Sequence, residues 1–256
     1  MTLDTRPASP ATRSDARPLR LATALRAAVL AGLVAGGAVA AFHLLVTEPV
    51  IDRAILLEEQ QSRARGERMA TPLVSRATQK VGLVVGFLVY GAIWGGLFGV
   101  AYRLLAARLP GATAARRGWL LAALAGWSVA IFPFLKYPAS PPGVGSAETI
   151  WYRQTLYFGF VILSIVGVGL ADAVARTLTA RTATDGRRRA AWPLPIVLYA
   201  VYAAMLYALM PANPDLVTVP ASIVVTFRAV SLIGLALFWA VLGGAVGWLA
   251  RERVRG

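Results

Sequence analysis

The sequence contains no cysteine, and this absence removes several kinds of chemistry at once. Without thiols the chain forms no disulfide and offers no thiolate to a metal, an iron–sulfur cluster or a substrate. Histidine is almost as scarce, because His43 is the single one among 256 residues. One imidazole cannot form a histidine cluster or a pair of catalytic histidines, so this chain by itself is short of nitrogen ligands for a metal.

Motifs for nucleotide chemistry and hydrolysis are also missing. The chain has no phosphate-binding loop, no dinucleotide-binding glycine fingerprint and no His-Glu-x-x-His zinc motif. Ser128 and Ser164 lie in apolar stretches without an evident base, so serine-protease chemistry is not indicated. We therefore predict that the protein is not an enzyme. Energy for any transport would come from an ion gradient or from a partner protein.

Long apolar segments are what the sequence has in abundance. Hydrophobic residues make up 57% of the chain and charged residues 15%, where a soluble domain has about 25% charged residues. About 20 apolar residues in a helix cross the roughly 30 Å core of a bilayer. We predict an all-α integral membrane protein, a bundle of six transmembrane helices within residues 21–251. The helices are expected near residues 25–46, 81–107, 119–135, 156–178, 193–210 and 223–250.

The distribution of positive charge predicts the orientation. Of the 26 Lys and Arg residues, 17 lie in the tails and even-numbered loops, 8 in the odd-numbered loops, and Arg228 lies inside the last helix. The positive-inside rule then predicts a multi-pass protein of the bacterial inner membrane with both termini in the cytoplasm. Topology and anionic lipid headgroups explain the net charge of +14, so the lipid bilayer is the expected partner and nucleic acid is not.

The N-terminal region allows two interpretations. Residues 1–20 are rich in Arg, Pro, Ser, Thr and Ala, which is typical of a disordered tail, here cytoplasmic. Ala38-Val39-Ala40 resembles the cleavage site of a signal peptide. However, the apolar run continues to Val46 and is longer than a typical signal-peptide core, which favours a retained first membrane helix.

Glycines spaced by four residues predict close contact between helices, because they let two backbones approach. A weak internal repeat further suggests three helical hairpins. Arg76, Arg153 and Arg228 lie near the start of the three returning helices. A guanidinium at a membrane boundary is expensive without a partner or water, and the outer loops offer Glu48, Glu148 and Asp215 as partners. The glycine sets are Gly32/Gly36, Gly82/Gly86, Gly91/Gly95/Gly99 and Gly243/Gly247.

The most polar segment outside the tails is residues 47–80, which follows the first apolar stretch. We predict an outer loop there that contains an amphipathic helix. Pro49 suits the first position of such a helix, with Thr47 or Glu48 as the capping residue.

Four residues of this region are candidate metal ligands. Glu48, Asp52 and Glu59 fall on one side of the predicted helix, and His43 precedes them at the outer end of the first membrane helix. Imidazole and carboxylate groups together suit a divalent first-row metal such as cobalt or nickel. A solvated helix also explains the pattern, with the acids favouring its N-terminal dipole and Glu59 pairing with Arg63.

Asp172 is the one carboxylate well inside an apolar segment. It could act as a relay for a proton or ion. Arg176 follows four residues later, however, and this spacing is typical of an ion pair along one side of a helix.

Several motifs together resemble the CbtA family of predicted bacterial cobalt-transporter subunits. They are His43 with Glu48-Pro49, Phe227-Arg228-Ala229-Val230-Ser231-Leu232, and the loop Lys136-Tyr137-Pro138-Ala139-Ser140-Pro141-Pro142-Gly143-Val144-Gly145 with Glu148-Thr149-Ile150. The resemblance runs from about residue 25 to residue 248.

This resemblance implies a membrane subunit for cobalt uptake that acts with CbtB, a small one-helix protein with a histidine-rich end. Cobalt is then a substrate and not a stably bound cofactor. The expected route is capture at the outer face by His43, Glu48, Asp52 and Glu59, followed by passage between glycine-lined helices with Asp172 as an inner station. A membrane scaffold or interaction subunit that transports nothing is the alternative; a solid, dry bundle would favour it, and a water-accessible polar path would favour transport.

Overall fold

The structure is a computed structural model. The residues that it describes are almost entirely helical and form no strand. The predicted disordered tail at residues 1–20 and the arginines at 187–189 lie outside the described part of the chain. The structure describes residues 21–66, 74–110, 113–142, 144–181, 193–215, 217 and 219–252.

Eight α-helices follow one another along the described chain. Two five-residue π-helices, His43–Thr47 and Trp127–Ile131, join α1 to α2 and α4 to α5 without a break, and a 3-10 turn at Ala147–Thr149 precedes α6. The α-helices are α1 (Leu21–Phe42), α2 (Glu48–Ala64), α3 (Arg76–Leu105), α4 (Ala114–Gly126), α5 (Phe132–Lys136), α6 (Ile150–Arg181), α7 (Pro193–Leu209) and α8 (Ala221–Glu252).

Six of these helical segments can be assigned to the membrane. Five are long and apolar enough to cross it, and α7 is an apolar helix of 17 residues. At 1.5 Å per residue α7 is about 26 Å long, close to the roughly 30 Å of a bilayer core. The predicted all-α, multi-pass membrane fold is confirmed. The five long segments are Leu25–Ala64, Arg76–Leu105, Ala114–Lys136, Ala147–Ala180 and Ala221–Trp248.

Pro49 lies in the first turn of α2 with Thr47 at the N-cap position, as predicted, but this is not the start of a separate helix, because α1 continues through the π-helix into α2. Thr47 has helical backbone angles, φ −87° and ψ −36°, and its side chain does not cap α2. A proline inside an α-helix lacks an N–H group, and its ring clashes with the carbonyl four residues earlier. In the π-helix the Glu48 N–H bonds to the carbonyl of His43, five residues back, so the hydrogen-bond pattern has already shifted when the chain reaches Pro49.

The second π-helix is also followed by a proline, at the same distance along the chain. Its last residue is Ile131, and Pro133 follows two positions later, as Pro49 follows Thr47. The Phe132 N–H again bonds five residues back, to the carbonyl of Trp127. A single π-turn therefore allows each of these membrane helices to continue through a proline that would otherwise break it.

Glycine contacts hold α1 against α3. A β-carbon added to Gly32 would overlap the carbonyl oxygen of Gly91, and one added to Gly91 would overlap the carbonyl oxygen of Gly32. Contact this close requires hydrogen in place of a side chain on both helices. By contrast, Gly82 and Gly86 on α3 have nothing within 4 Å of an added β-carbon. Two of the predicted glycine sets therefore form a helix contact, and the set at 82 and 86 has no partner helix in the described chain.

The order of packing corrects the expected arrangement of three hairpins. α1 packs with α3 as expected, and α8 packs along both α1 and α4. α7 packs against α6 and is not a packing neighbour of α8 along its length. Because Gly243 and Gly247 lie against Trp119 and Ala115 of α4, α8 fits into the centre of the bundle and not beside α7.

Candidate functional site

One end of the bundle carries most of the polar contacts, and we call it the α2 end. It is formed by α2 and by the described residues of two loops, at 137–142, 144–149, 210–215, 217 and 219–220. Arg76 Nη2 lies 2.5 Å from Glu48 Oε2 and 2.6 Å from Asp52 Oδ1, and Lys80 Nζ lies 3.7 Å from both carboxylates. The Glu48 side chain is only 5% exposed. Two of the predicted metal ligands are therefore held by two cations of α3.

The four predicted ligands do not converge on one point. Glu59 lies eleven positions after Glu48, which is about 17 Å along a helix, and its carboxylate contacts Arg63 at 3.6 Å. Residues on the same side of a helix can still lie far apart along its axis. Glu48 and Asp52 therefore share Arg76, whereas Glu59 lies apart from both. Within the part of the chain that the structure describes, no three His, Asp or Glu side chains are grouped as a metal site.

A second ion pair joins α6 to the loop before α8. Arg153 Nε lies 2.9 Å from Asp215 Oδ2, and Thr149 donates a hydrogen bond of 2.6 Å to the other carboxylate oxygen. Glu148, the acid nearest to Arg153 in sequence, is exposed and contacts no cation in the described chain. Arg228 forms no hydrogen bond or ion pair with any described residue, and its Nε is buried. Of the three expected arginine partners, Glu48 and Asp215 are therefore used and Glu148 is not.

His43 packs between α3 and α8 inside the bundle. Its ring stacks on Phe87 of α3, with centroids 4.9 Å apart and an interplanar angle of 11°. Nδ1 lies 2.7 Å from Thr47 Oγ1, and a β-carbon added to Gly234 of α8 would lie 2.5 Å from Nε2. When Nδ1 donates its proton to Thr47, Nε2 presents a lone pair, which is the form of imidazole that binds metals.

His43 lines a cavity of about 510 Å³ between α1, α3, α6 and α8, which we call the His43 chamber. Six water molecules occupy about 180 Å³ at roughly 30 Å³ each, so the chamber has room for a hydrated ion. Its wall also contains hydroxyl groups that can hydrogen-bond to water. These belong to Tyr90, Tyr137, Tyr157 and Ser231.

A second cavity lies beside the chamber, among residues of α6 and the loops at the α2 end, and we call it the vestibule. Its volume is about 480 Å³, and it shares Tyr137, Ala139 and Tyr157 with the wall of the chamber. The two spaces therefore adjoin at these three residues. The remaining polar lining of the vestibule is formed by Ser140, Arg153, Gln154 and Asn213.

Four aromatic residues close the chamber on its other side, and we call them the aromatic cluster. Tyr90 lies 5.0 Å from Phe238, and Trp94 lies 5.4 Å from Trp239, between ring centroids. Tyr90 and Phe238 line the chamber, whereas Trp94 and Trp239 line a third cavity of about 350 Å³ on the opposite side. The aromatic cluster therefore lies between the chamber and the third cavity.

Asp172 lies at the far mouth of the third cavity. Its Oδ2 is 2.6 Å from Arg176 Nη2, in the ion pair that the four-residue spacing favours. Both side chains are about half exposed, and the rest of the cavity wall is mainly apolar. A carboxylate paired in this way is neutralised and is a weak candidate for an ion relay.

Three polar residues of the chamber were not predicted as site residues from the sequence: Tyr90, Tyr157 and Ser231, the last of which appeared only within a family-like motif. Each lies in an apolar segment, where a tyrosine or serine is easily taken for part of the packing. The signal that could have found them is the phenol itself, because a tyrosine hydroxyl inside a membrane needs a hydrogen-bond partner or water.

The helices together define a multi-pass membrane protein, and its bundle contains a chamber whose mainly apolar wall carries four residues with hydroxyl groups. The family described as "Probable cobalt transporter subunit (CbtA)" matches residues 21–251, and the chain belongs to this family. The match covers all eight described helices, apart from the last residue of α8. Comparisons with curated proteins and with solved structures gave no match.

Proposed function

We propose that the chain is the membrane subunit of a cobalt uptake system, in which hydrated Co²⁺ passes through the vestibule and binds in the His43 chamber. Membership of the CbtA family is the reason for proposing cobalt as the metal. His43 Nε2 lies beside a chamber large enough for an ion and its water. This is the reason for placing the metal site there. A solid, dry bundle would have favoured a scaffold, and these two adjoining cavities favour transport.

His43 is the single protein nitrogen that this site offers the metal. Imidazole suits cobalt, and the chamber hydroxyls of Tyr90 and Ser231 can hold the water molecules that complete its coordination shell. Glu48 and Asp52 keep Arg76 and Lys80 in place and do not ligate the ion in this proposal. This revises the capture set of four residues to one ligand within a hydrated chamber.

The experiment that tests the proposal is uptake of radioactive cobalt into cells that lack their own cobalt transporter. Cells that produce the chain together with a CbtB-type subunit should accumulate cobalt well above cells that produce neither protein. Equal accumulation in the two cultures, with the chain detected in the membrane, would contradict the proposal.

We further propose that the α2 end faces the outside and both termini face the cytoplasm, as the charge distribution predicts. The absence of native cysteine makes the test direct, because an introduced cysteine is the single thiol. Ala147→Cys at the α2 end should react with a membrane-impermeant maleimide in intact cells, and Ala107→Cys at the opposite end should react only after lysis. The reverse pattern would show that the vestibule opens to the cytoplasm.

The proposed partner is a CbtB-type subunit whose histidines supplement the lone His43. Gly82 and Gly86 are exposed on α3 and have the same spacing as Gly91 and Gly95, which hold α1. This makes them the best surface for one additional helix. Replacing both Gly82 and Gly86 with leucine should abolish co-purification of the CbtB-type subunit and leave the bundle folded.

The matched control for this variant is Gly159→Leu, which lies on α6, also in open space. It should co-purify with the partner as the unaltered chain does. Retention of the partner by the Gly82 and Gly86 double variant would place the contact elsewhere.

A further inference from the structure

The third cavity has the shape and chemistry of a lipid site. It lies between α3, α4 and α6 at the end of the bundle opposite to the α2 end. α6 packs against the second π-helix and α5, but in the described chain it is not a packing neighbour of α4. The two helices therefore separate towards the opposite end and leave a wedge-shaped space. Its wall includes Leu97, Leu121, Leu124, Ala125, Ile165 and Val168.

The polarity of the cavity changes along its length. Trp94 and Leu105 both line it and are eleven positions apart on α3, which is about 17 Å of helix. One leaflet of a bilayer core is about 15 Å deep, half of the roughly 30 Å total. Charged groups line the cavity only at the mouth that lies farthest from the α2 end, where Arg108, Asp172 and Arg176 are found. An apolar space of one leaflet's depth with charges at one end fits an amphiphile and not a hydrated metal ion.

The net positive charge at the mouth of the third cavity favours a lipid with a negatively charged headgroup. Asp172 and Arg176 neutralise one another across 2.6 Å. Arg108 is exposed, and its side chain forms no ion pair or hydrogen bond with any residue that the structure describes. One uncompensated guanidinium therefore remains at the level of the lipid phosphates, and guanidinium is the side chain best suited to bind phosphate oxygens.

We propose that this cavity binds an anionic phospholipid, with an acyl chain between α4 and α6 and its phosphate at Arg108. The lipid fills the space where the two helices separate. This proposal does not rest on cobalt transport, since none of its observations involves the His43 chamber.

A larger side chain at Gly169 would fill the third cavity and exclude a lipid chain. Gly169 lines the cavity on α6, and nothing lies within 4 Å of an added β-carbon, so a larger side chain enters the empty space without a clash at its first atom. Gly159 is also on α6 and also has open space around its β-carbon, but it does not line this cavity. Gly169→Phe and Gly159→Phe are therefore a matched pair.

The experiment is native mass spectrometry of the purified full chain, titrated with equal amounts of phosphatidylglycerol and phosphatidylcholine that have the same acyl chains. The unaltered chain should keep phosphatidylglycerol about fivefold more than phosphatidylcholine, as expected for one basic residue near the headgroup. Gly169→Phe should lose the bound lipid, and Gly159→Phe should behave as the unaltered chain does. Arg108→Gln should keep a lipid but bind the two headgroups equally.

Equal retention of the two lipids by the unaltered chain would mean adventitious lipid only and would overturn the proposal. Unchanged retention by Gly169→Phe would do the same. If Gly169→Phe does not fold, Arg108→Gln decides alone, because this exposed side chain forms no ion pair or hydrogen bond within the described chain that the change would break. A phosphatidylglycerol preference that survives Arg108→Gln would then refute the site.

Discussion

Replacing Gly234 with alanine is expected to lower cobalt uptake by about tenfold or more. The added methyl group would lie 2.5 Å from His43 Nε2, the nitrogen that we propose binds the metal. The imidazole cannot move aside easily, because it is stacked on Phe87 and its Nδ1 is bonded to Thr47. A loss of about 1.4 kcal/mol in metal binding already corresponds to a tenfold change. The measurement is initial uptake of radioactive cobalt, normalised to the amount of protein in the membrane.

A double variant separates a blocked ligand from general damage to the bundle. His43→Ala alone should reduce uptake at least as strongly as Gly234→Ala. Because both changes act on the same interaction, adding Gly234→Ala to His43→Ala should cost little further uptake. Glu59→Gln is the control outside the chamber and should transport normally. Additive losses, or full uptake by Gly234→Ala, would mean that the ion does not depend on Nε2.

The largest expected effect on stability belongs to Gly91. Leucine at this position would force its β-carbon into the backbone of Gly32 on α1, so the two helices would have to separate. Overpacking a rigid interface lowers the free energy of unfolding by about 3 kcal/mol, and backbone atoms cannot move aside as a side chain can. We expect Gly91→Leu to accumulate poorly in the membrane and to unfold at a much lower temperature in detergent.

Gly86→Leu is the matched control for this change. It makes the same substitution five residues earlier on the same helix, where nothing lies within 4 Å of an added β-carbon. Without a partner subunit present, this variant should be as stable as the unaltered chain or slightly more so, since leucine favours helix over glycine. Equal stability of the two leucine variants would contradict the assigned contact between α1 and α3.

The membrane helices could be predicted from the sequence because one physical constraint dominates them. A segment in lipid must satisfy its own backbone hydrogen bonds, so length and hydropathy alone identify it. The same holds for local pairs such as Asp172 with Arg176, whose contact depends on helix geometry within one turn. One local expectation was not met, because α1 does not end before Pro49. There the usual rule for proline failed, because a π-turn removed the clash before it arose.

The candidate site could not be predicted because it depends on contacts between distant segments. The carboxylates of Glu48 and Asp52 seemed free for metal until α3 brought Arg76 and Lys80 against them. Asp215 joins Arg153 across 62 positions, a contact that neither loop reveals alone. The chamber likewise combines α1, α3, α6 and α8 around His43. A lone histidine carries no spacing pattern, so its neighbours become visible only when the bundle is assembled.

The most direct test of the cobalt site is to locate the metal itself. We would collect anomalous diffraction at the cobalt edge from crystals of the full chain soaked with Co²⁺. The account predicts a cobalt peak about 2.1 Å from His43 Nε2, a distance typical of imidazole bound to a first-row metal. A peak between Glu48 and Asp52, or a bound cobalt unaffected by His43→Ala, would contradict it.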